Sequence, residues 1–321
     1  MSPRPALHLV AEAAAAEFGQ DLLDCLQRQP HAISPKHFYD AAGSRLFEQI
    51  CELPEYYLTR TELAILDRHV GEMAALIGPG AEIVEFGAGS LTKVRLLLDA
   101  LREPAGFAAI DISGEHLHAA LAALRRDYPT LEMEAIVDDF TRMETLPVWH
   151  VGHPRRVGFF PGSTIGNFSP QQARRFLSMA SRLLRGGGLL IGIDLVKDPA
   201  ILHAAYNDAA GVTAAFNRNL LARANRELGS NFDVAAFSHY AFYNVPQQRI
   251  EMHLVNQKHQ EIALLGRQFV LAPGEAIHTE HSHKFTVPTF EAMARSCGFA
   301  PAARWTDAGQ RFSVHWLESS G

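Results

Sequence analysis

A short glycine-rich stretch is the part of this chain whose residue types and spacing suggest chemistry most directly. The apolar residues 83–86 include the acid Glu85 and are followed by Gly87, Ala88 and Gly89. Glycines allow the backbone to turn with positive φ, and they let a ligand approach the main chain without meeting a Cβ atom. The helix that follows offers unpaired N–H groups. We therefore predict a strand, a ligand-binding loop and a helix.

Two common nucleotide-binding patterns do not fit this loop. The dinucleotide fingerprint needs a third glycine where the chain has Thr92, and a P-loop needs Gly-Lys-Ser/Thr at the helix start. The acid-x-Gly-x-Gly spacing from Glu85 to Gly89 instead resembles the signature loop of Rossmann-like methyltransferases, which bind S-adenosylmethionine (SAM). SAM has no pyrophosphate, so the third glycine is not required. On this loop alone, a purely structural turn remains an alternative.

Two further strand ends agree with a nucleoside-binding site. The apolar residues 107–110 end in Asp111, at the distance where such folds place the carboxylate that accepts both ribose hydroxyls. The next apolar run, 134–137, leads to Asp138, Asp139 and Phe140, an acid and a ring suited to the amino group and face of adenine. Three consecutive strand ends thus supply a loop, a ribose acid and an adenine site.

Composition limits the other functions that the chain could have. With 321 residues, of which 47% are hydrophobic, the chain can form one large domain or two ordinary ones. No apolar run reaches the ~20 residues that span a bilayer, so we expect a cytoplasmic protein. Cys25, Cys51 and Cys297 are scattered and suggest free thiols. A net charge of −6 without a basic stripe argues against nucleic acid as a partner.

The order of predicted elements indicates an α/β fold with an insertion. We expect helices at 6–29, 61–76, 113–126 and 171–184, and strands ending at residues 86, 110, 137, 160 and 194. After residue 194 the alternation of strands and helices ends. Residues 198–228 read as one or two helices, 241–285 as short alternating strands, 288–296 as a helix, and 303–316 as closing strands.

The loop after the fourth predicted strand should lie on the ligand side of the sheet. It contains Gly162, Ser163 and Gly166, but the serine stands one place too early for the nucleophile elbow of hydrolases. Asn167 follows and offers both a donor and an acceptor, which suits the amine and carboxylate of an amino acid. A turn asparagine that bonds its own backbone is the alternative.

The histidine-rich residues 278–283 could suggest a metal site. In a regular strand, however, His281 and His283 face one way while His278, Glu280 and Ser282 face the other. Neither face presents three convincing ligands, so we expect no metal. Glu280 and Ser282 on one face could together bind a ring that carries N–H and N atoms.

Longer strings carry a wider resemblance. These are FYD at 38–40, LPEYYLTRTE at 53–62, GSTIGN at 162–167, DLVKD at 194–198, AGVTAAFNRN at 210–219 and TEHSHKF at 279–285. Through them nearly the whole chain resembles the L-histidine Nα-methyltransferases of ergothioneine biosynthesis. The resemblance implies a SAM-dependent enzyme that methylates histidine three times to give the betaine hercynine. We expect a monomer whose partner is a small molecule, with no membrane or nucleic-acid partner.

The same resemblance implies two domains: a Rossmann-like, class I methyltransferase domain at 61–194 and 286–321, and an α+β substrate-binding lid at 1–60 and 195–285. Position by position, it implies roles for several residues. The cofactor contacts are Tyr39, Gly87, Lys93, Asp111, Asp139, Phe140 and Gly162. The histidine contacts are Tyr56, Asn167 and Tyr206 for the amino and carboxylate groups, and Met252, Glu280 and Ser282 for the imidazole. Tyr39 lies between cofactor and substrate and, with Asn167, is the expected catalytic residue.

Two other functions remain open on the sequence. One keeps the chemistry and changes the substrate to another aromatic amino acid such as tryptophan, against which the Glu280 and Ser282 pair argues. The other is a SAM-binding regulator without catalysis, against which Asn167, Tyr206 and Glu280 argue.

Overall fold

A computed structural model describes residues 4–146 and 155–319, with side chains in the first helix from residue 15 onward. The chain divides into two compact units. The N-terminal unit consists of Met1–Tyr56 and Pro199–His281, and the sheet unit consists of Tyr57–Asp198 and Ser282–Gly321. The assignment of such units to substrate and cofactor stays a prediction at this point.

The helices of the described residues begin and end as follows: α1 (Arg4–Gln27), α2 (Ala41–Glu52), α3 (Tyr57–Ile77), α4 (Thr92–Ala100), α5 (Gly114–Asp127), α6 (Pro170–Leu183), α7 (Pro199–Tyr206), α8 (Val212–Leu228) and α9 (Val287–Ser296). Within the same ranges, none of them has the length and apolar character needed to cross a bilayer.

The strands are β1 (His31–Ala32), β2 (Glu82–Phe86), β3 (Gly106–Asp111), β4 (Met133–Val137), β5 (Arg156–Phe160), β6 (Gly188–Asp194), β7 (Phe237–Asn244), β8 (Arg249–Asn256), β9 (Gln260–Leu264), β10 (Arg267–Leu271), β11 (Ala276–His283), β12 (Phe299–Thr306) and β13 (Phe312–Ser319).

The sheet unit is built on seven strands in the order β12-β13-β6-β5-β2-β3-β4. Strands β2 to β6 run parallel, and β13 joins β6 antiparallel. The chain proceeds from β2 outward to β3 and β4 and then returns to place β5 on the other side of β2. Ligands of open α/β sheets bind beyond the carboxyl ends of the strands at such a reversal. This topology confirms the predicted Rossmann-like fold and locates its crevice after β2 and β5.

The N-terminal unit contains a smaller sheet in the order β1-β11-β8-β7 and a separate β9-β10 hairpin. Helix α8 is tied to two of its strands through Asn217, whose side chain donates to the carbonyl of His253 at 3.1 Å and accepts from the Thr279 hydroxyl at 2.7 Å. Asn217 is completely buried. These bonds fix α8 against β8 and β11.

Helix α2 was not among the predicted elements. Its sequence mixes aromatic and charged residues, which obscured the helical period. The helix begins at a clear capping residue, because Asp40 accepts a hydrogen bond from the Gly43 N–H at 2.7 Å. Gly43 is required here, since a Cβ atom at that position would lie 1.8 Å from the carbonyl oxygen of Phe38. The cap therefore fixes Tyr39 at the entrance to α2.

Candidate active site

The glycine loop after β2 has the backbone geometry that the sequence predicted. Gly87 and Gly89 have φ angles of 68° and 52°, in the left-handed region that favours glycine. A Cβ atom at Gly87 would meet the ring of Phe140 at 3.5 Å. Burial raises the pKa of Glu85 well above its ordinary value, although the nearby Lys93 charge opposes this. The acid of the motif therefore lies inside the fold, near the end of the strand that leads into the loop.

Asp111, at the end of β3, is tied directly to this loop. One carboxylate oxygen accepts from the Gly89 N–H at 3.1 Å, and the other accepts from the Ser113 N–H at 2.8 Å. Burial raises the pKa of Asp111, and these two hydrogen bonds partly counter the shift. The carboxylate thus lies beside the glycine loop, where the predicted ribose role requires it.

The residues after β4 form the third part of this edge. Asp139 accepts hydrogen bonds from the N–H and hydroxyl of Thr141, at 3.0 and 2.6 Å. The ring of Phe140 packs at 5.5 Å from that of Phe160 and at 6.1 Å from that of Phe86. Phe140 is thereby held beside Gly87 by aromatic neighbours.

Glu62 is a residue of this edge to which the sequence analysis gave no role. Its side chain is 1% exposed, and it accepts from the Lys93 ammonium at 2.6 Å. The same carboxylate accepts from the Gly162 N–H at 3.0 and 2.8 Å. A Cβ atom at Gly192 would lie only 2.0 Å from Glu62. A buried acid in the helix before β2 thus links the glycine loop's helix to the loop after β5. Because that helix contains several other charged residues, its sequence does not single out Glu62.

The loop after β5 is held from two sides within the sheet unit. Ser163 has a φ of 56°, and its hydroxyl accepts from the Asp194 N–H at 2.9 Å. A Cβ atom at Gly166 would lie 2.8 Å from the carbonyl oxygen of His283 and 3.4 Å from the Ser282 hydroxyl. Asn167 is the last residue of the short 3-10 helix Thr164–Asn167 and is half-buried. Asn167 therefore directly follows a glycine whose Cα lies against the end of β11.

Three predicted tyrosines come together in the N-terminal unit. The ring of Phe47 lies 5.7 Å from that of Tyr39 and 6.2 Å from that of Tyr56, and the Tyr56 and Tyr206 rings are 6.3 Å apart. Burial raises the pKa of Tyr56 well above its ordinary value, and the neighbouring Tyr206 and Glu280 raise it further. Tyr56 is therefore a neutral phenol and not an anionic base.

Glu280 and Met252, the two imidazole candidates of the N-terminal unit, are buried, with exposures of 8% and 1%. The Thr279 hydroxyl donates to the Met252 carbonyl at 3.1 Å, so these positions of β11 and β8 are neighbours. Ser282, the third imidazole candidate, is 3% exposed and belongs to the sheet unit. Each unit by itself thus brings its own predicted residues together.

The expected alternation along β11 is wrong at one point. The rings of His278 and His281 stack at 5.8 Å, although residues three apart in a regular strand face opposite ways.

His278 also lies near Glu251 and His253, and the three present possible metal-ligand atoms within 4.8 Å of one another. One oxygen of Glu251 is already bound by the Arg249 guanidinium at 2.8 Å. The fixed positive charge beside this carboxylate opposes a second cation.

Comparison with known proteins agrees with the geometry of the sheet edge. Residues 18–319 match the family model described as "Histidine-specific methyltransferase, SAM-dependent". The chain is 43% identical to the histidine N-alpha-methyltransferase of Mycolicibacterium smegmatis over 96% of both chains. It is 30% identical to ergothioneine biosynthesis protein 1 of Neurospora crassa, over 91% of this chain and 33% of that protein.

A solved structure supports the fold alone. The S-adenosylmethionine-dependent methyltransferase from Clostridium acetobutylicum superposes with a TM-score of 0.50 at 11% identity, covering 86% of this chain and 99% of that one.

Proposed function

Because the chain belongs to the family of histidine-specific, SAM-dependent methyltransferases, we propose that it methylates the α-amino nitrogen of L-histidine three times. The product is the trimethylated betaine hercynine, and the reaction is the first step of ergothioneine biosynthesis. Support for the pathway comes from the relative that is named for it and from the strings that this chain shares with such enzymes.

The sheet unit holds SAM in this proposal. Gly87 allows close approach of the nucleoside, and the ionised Asp111 accepts the two ribose hydroxyls. Phe140 packs against the adenine face, and Asp139 accepts from the adenine amino group. Lys93 and Gly162, which are both bonded to Glu62, make two further contacts with the cofactor. These residues fit a nucleoside because they follow consecutive parallel strands at the topological reversal.

Histidine is bound through two kinds of contact. Glu280 and Ser282 in β11 bind the imidazole ring beside Met252. Tyr56, Asn167 and Tyr206 bind the amino and carboxylate groups, and Tyr39 lies between cofactor and substrate. The observation that carries the substrate assignment is Glu280, a carboxylate that is 8% exposed and close enough to Tyr56 to raise its pKa. A buried acid of this kind favours an amino acid whose ring N–H can donate to the carboxylate over one that has no ring N–H.

When bound, SAM supplies an electrophilic methyl group on a sulfonium sulfur. The protein residues must align a neutral amine with it and exclude water, and such positioning can lower a barrier by ~7–11 kcal/mol. The α-amine, whose pKa is ~8 in model α-amino groups, first releases its proton to water. Tyr56, as a neutral phenol, orients the amine by hydrogen bonding and takes no proton itself. The faces of Tyr39 and Tyr206 stabilise the growing alkylammonium through cation–π attraction.

Mass spectrometry tests the proposal directly. Purified protein incubated with SAM and L-histidine should yield species with one, two and three added methyl groups, and L-tryptophan in the same mixture should remain unmodified. If histidine gains no methyl group, calorimetry with S-adenosylhomocysteine shows whether it still binds. Histidine binding without methyl transfer would favour a SAM-binding regulator over an enzyme. Methylation of tryptophan would overturn the substrate assignment.

A further inference from the structure

One face of the small sheet in the N-terminal unit carries histidines that the proposed reaction does not use. Thr279 and Glu280 are consecutive residues of β11 and both are buried, so the alternation of this strand shifts by one residue between them. His278 and His281 therefore share the half-buried face of β11, and their rings stack. The expectation of no metal assumed a regular alternation, which this strand does not keep.

Three side chains of this face can share a metal ion. Glu251 and His253 lie two residues apart in β8, and His278 lies in the neighbouring strand β11. Each offers one ligand atom, and the three atoms lie within 4.8 Å of one another. The Nε2 atom of His253 and the Oε2 atom of Glu251 are 3.2 Å apart. Two ligands of a tetrahedral zinc ion are ~3.3 Å apart when their bonds to zinc are ~2.0–2.1 Å long. This pair has the required spacing, and His278 needs to approach it by about 2 Å or less.

The Glu251 carboxylate has different partners on its two oxygens. Oε1 accepts from the Asn244 amide at 2.9 Å and binds two nitrogens of the Arg249 guanidinium at 2.9 and 2.8 Å. Among the described residues, only the His253 ring bonds to Oε2. Carboxylates that bind metals are themselves hydrogen-bonded, and such bonds orient the ligand oxygen. Arg249 lowers the affinity for a cation, but zinc also binds to sets of three neutral histidines, which supply no negative charge.

The two histidine rings are held in place by their neighbours. His253 stacks on Phe242 of β7 at 5.7 Å and on His278 at 4.9 Å. His278 stacks in turn on His281. The Nε2 atom of His278 is buried, and no described residue hydrogen-bonds to it. Burial, with the nearby rings of His253 and His281, lowers the pKa of His278 to about 4. The His278 ring is therefore neutral and keeps a bare nitrogen that can bind a metal ion.

We propose that Glu251, His253 and His278 bind a divalent transition-metal ion, and that zinc is the ion that fits them best. Imidazole and carboxylate are common zinc ligands, whereas magnesium and calcium prefer oxygen ligands alone. Coordination through Nε2 of His253 uses the neutral tautomer that carries its proton on Nδ1. The ion links β8 to β11 and so stabilises the N-terminal unit. This site does not rest on the proposed methylation.

Calorimetric titration of the chelator-treated protein with zinc chloride tests the site. Free histidine is left out, because the amino acid itself binds zinc. His278→Phe keeps a ring in the stack and removes the ligand nitrogen, so the zinc Kd should rise about 10-fold or more. His281→Phe is the matched control, since it makes the same change in the adjacent ring of the stack and leaves the three ligands in place. It should keep the parental zinc affinity.

Glu251→Gln is a second variant, of almost unchanged size. It keeps an oxygen for the guanidinium and amide partners but replaces Oε2 by an NH2 group, so it should weaken zinc binding as His278→Phe does. Urea denaturation gives an independent readout, because zinc chloride should raise the midpoint of the parent and of His281→Phe more than that of either ligand variant. Equal zinc affinity in the parent and both ligand variants would overturn the site. An equal loss of affinity in His281→Phe and His278→Phe would overturn it too, since the ring stack and not the ligand set would then decide binding.

Discussion

The two units of the chain hold their predicted site residues by different kinds of interaction. In the sheet unit, Asp111 and Glu62 are carboxylates that accept from backbone N–H groups and from Lys93. In the N-terminal unit, the rings of Tyr39 and Tyr56 pack on that of Phe47, and the ring of Tyr206 packs on that of Tyr56. The first arrangement is built on charge, and the second includes contacts between aromatic rings.

This difference follows from what each unit must bind in the proposed function. Ribose hydroxyls and a sulfonium group are polar, and fixed carboxylates and backbone groups can match them at little cost in flexibility. A substrate amine that changes from primary to quaternary needs a surface that tolerates bulk and positive charge, which aromatic faces supply. Variants that remove a charge in one unit or a hydroxyl in the other should therefore differ in both size and kind of effect.

The largest effect on stability is expected for Glu62→Gln. The substitution removes the carboxylate partner of Lys93 and weakens the acceptor of the Gly162 N–H. Removing one partner of a buried ion pair costs about 3 kcal/mol or more, so urea denaturation should show a clear loss of unfolding free energy. Asp127→Asn, which breaks the exposed pair with Arg95, is the control and should change stability little. Equal stability of the two variants would show that the Glu62 cluster is not structural.

Glu280→Ala should have the largest effect on substrate affinity. A hydrogen bond to a charged group contributes ~1.5–3 kcal/mol, so the histidine Kd should rise by roughly 10- to 100-fold. SAM affinity should stay at the parental value, and Glu280→Gln, which keeps an acceptor oxygen, should recover part of the loss. Calorimetric titrations with histidine and with SAM measure the two affinities. Parental histidine affinity in Glu280→Ala would count against the imidazole contact.

Asp111→Asn should weaken SAM binding and leave the affinity for histidine unchanged. The loss of a charged acceptor for the ribose hydroxyls predicts a SAM Kd about 10-fold higher. Because burial raises the pKa of Asp111, the parent carboxylate becomes protonated at a higher pH than an ordinary aspartate. Parental SAM affinity should consequently decline on the acid side, and the variant should lack that decline. Identical pH profiles of SAM binding would remove the ribose role.

The smallest effect is expected for Tyr56→Phe, which keeps the ring and removes only the hydroxyl. Packing against Phe47 and Tyr206 should persist, so stability should change by less than about 1 kcal/mol. The kcat/KM for histidine should fall by only about 2- to 5-fold through loss of one neutral hydrogen bond. Since the raised pKa of Tyr56 keeps it protonated, the alkaline side of the rate profile should be the same in parent and variant. A shifted alkaline limb would show that Tyr56 is ionised during turnover.

The sequence by itself determined the architecture of the sheet unit and grouped the candidate cofactor residues at one edge of it. Parallel strands of a doubly wound sheet end at one edge, so Gly87, Asp111 and Phe140 could be grouped from their positions after successive apolar runs. The tyrosines had no such local rule. They come from segments far apart in the chain, and the resemblance to a family suggested their roles. Strand alternation paired Glu280 with Ser282 and suggested a ring as their ligand, but it could not place Glu280 near Tyr56.

Tertiary structure alone decided which polar groups meet inside the fold. The Glu62–Lys93 pair, the Asp194–Lys284 pair and the stacking of His278 on His281 leave no periodic signal, because each depends on packing between distant elements or on a local departure from strand geometry. Hydrophobic periodicity reports which face of an element is buried. It does not report which partner a buried charge will have.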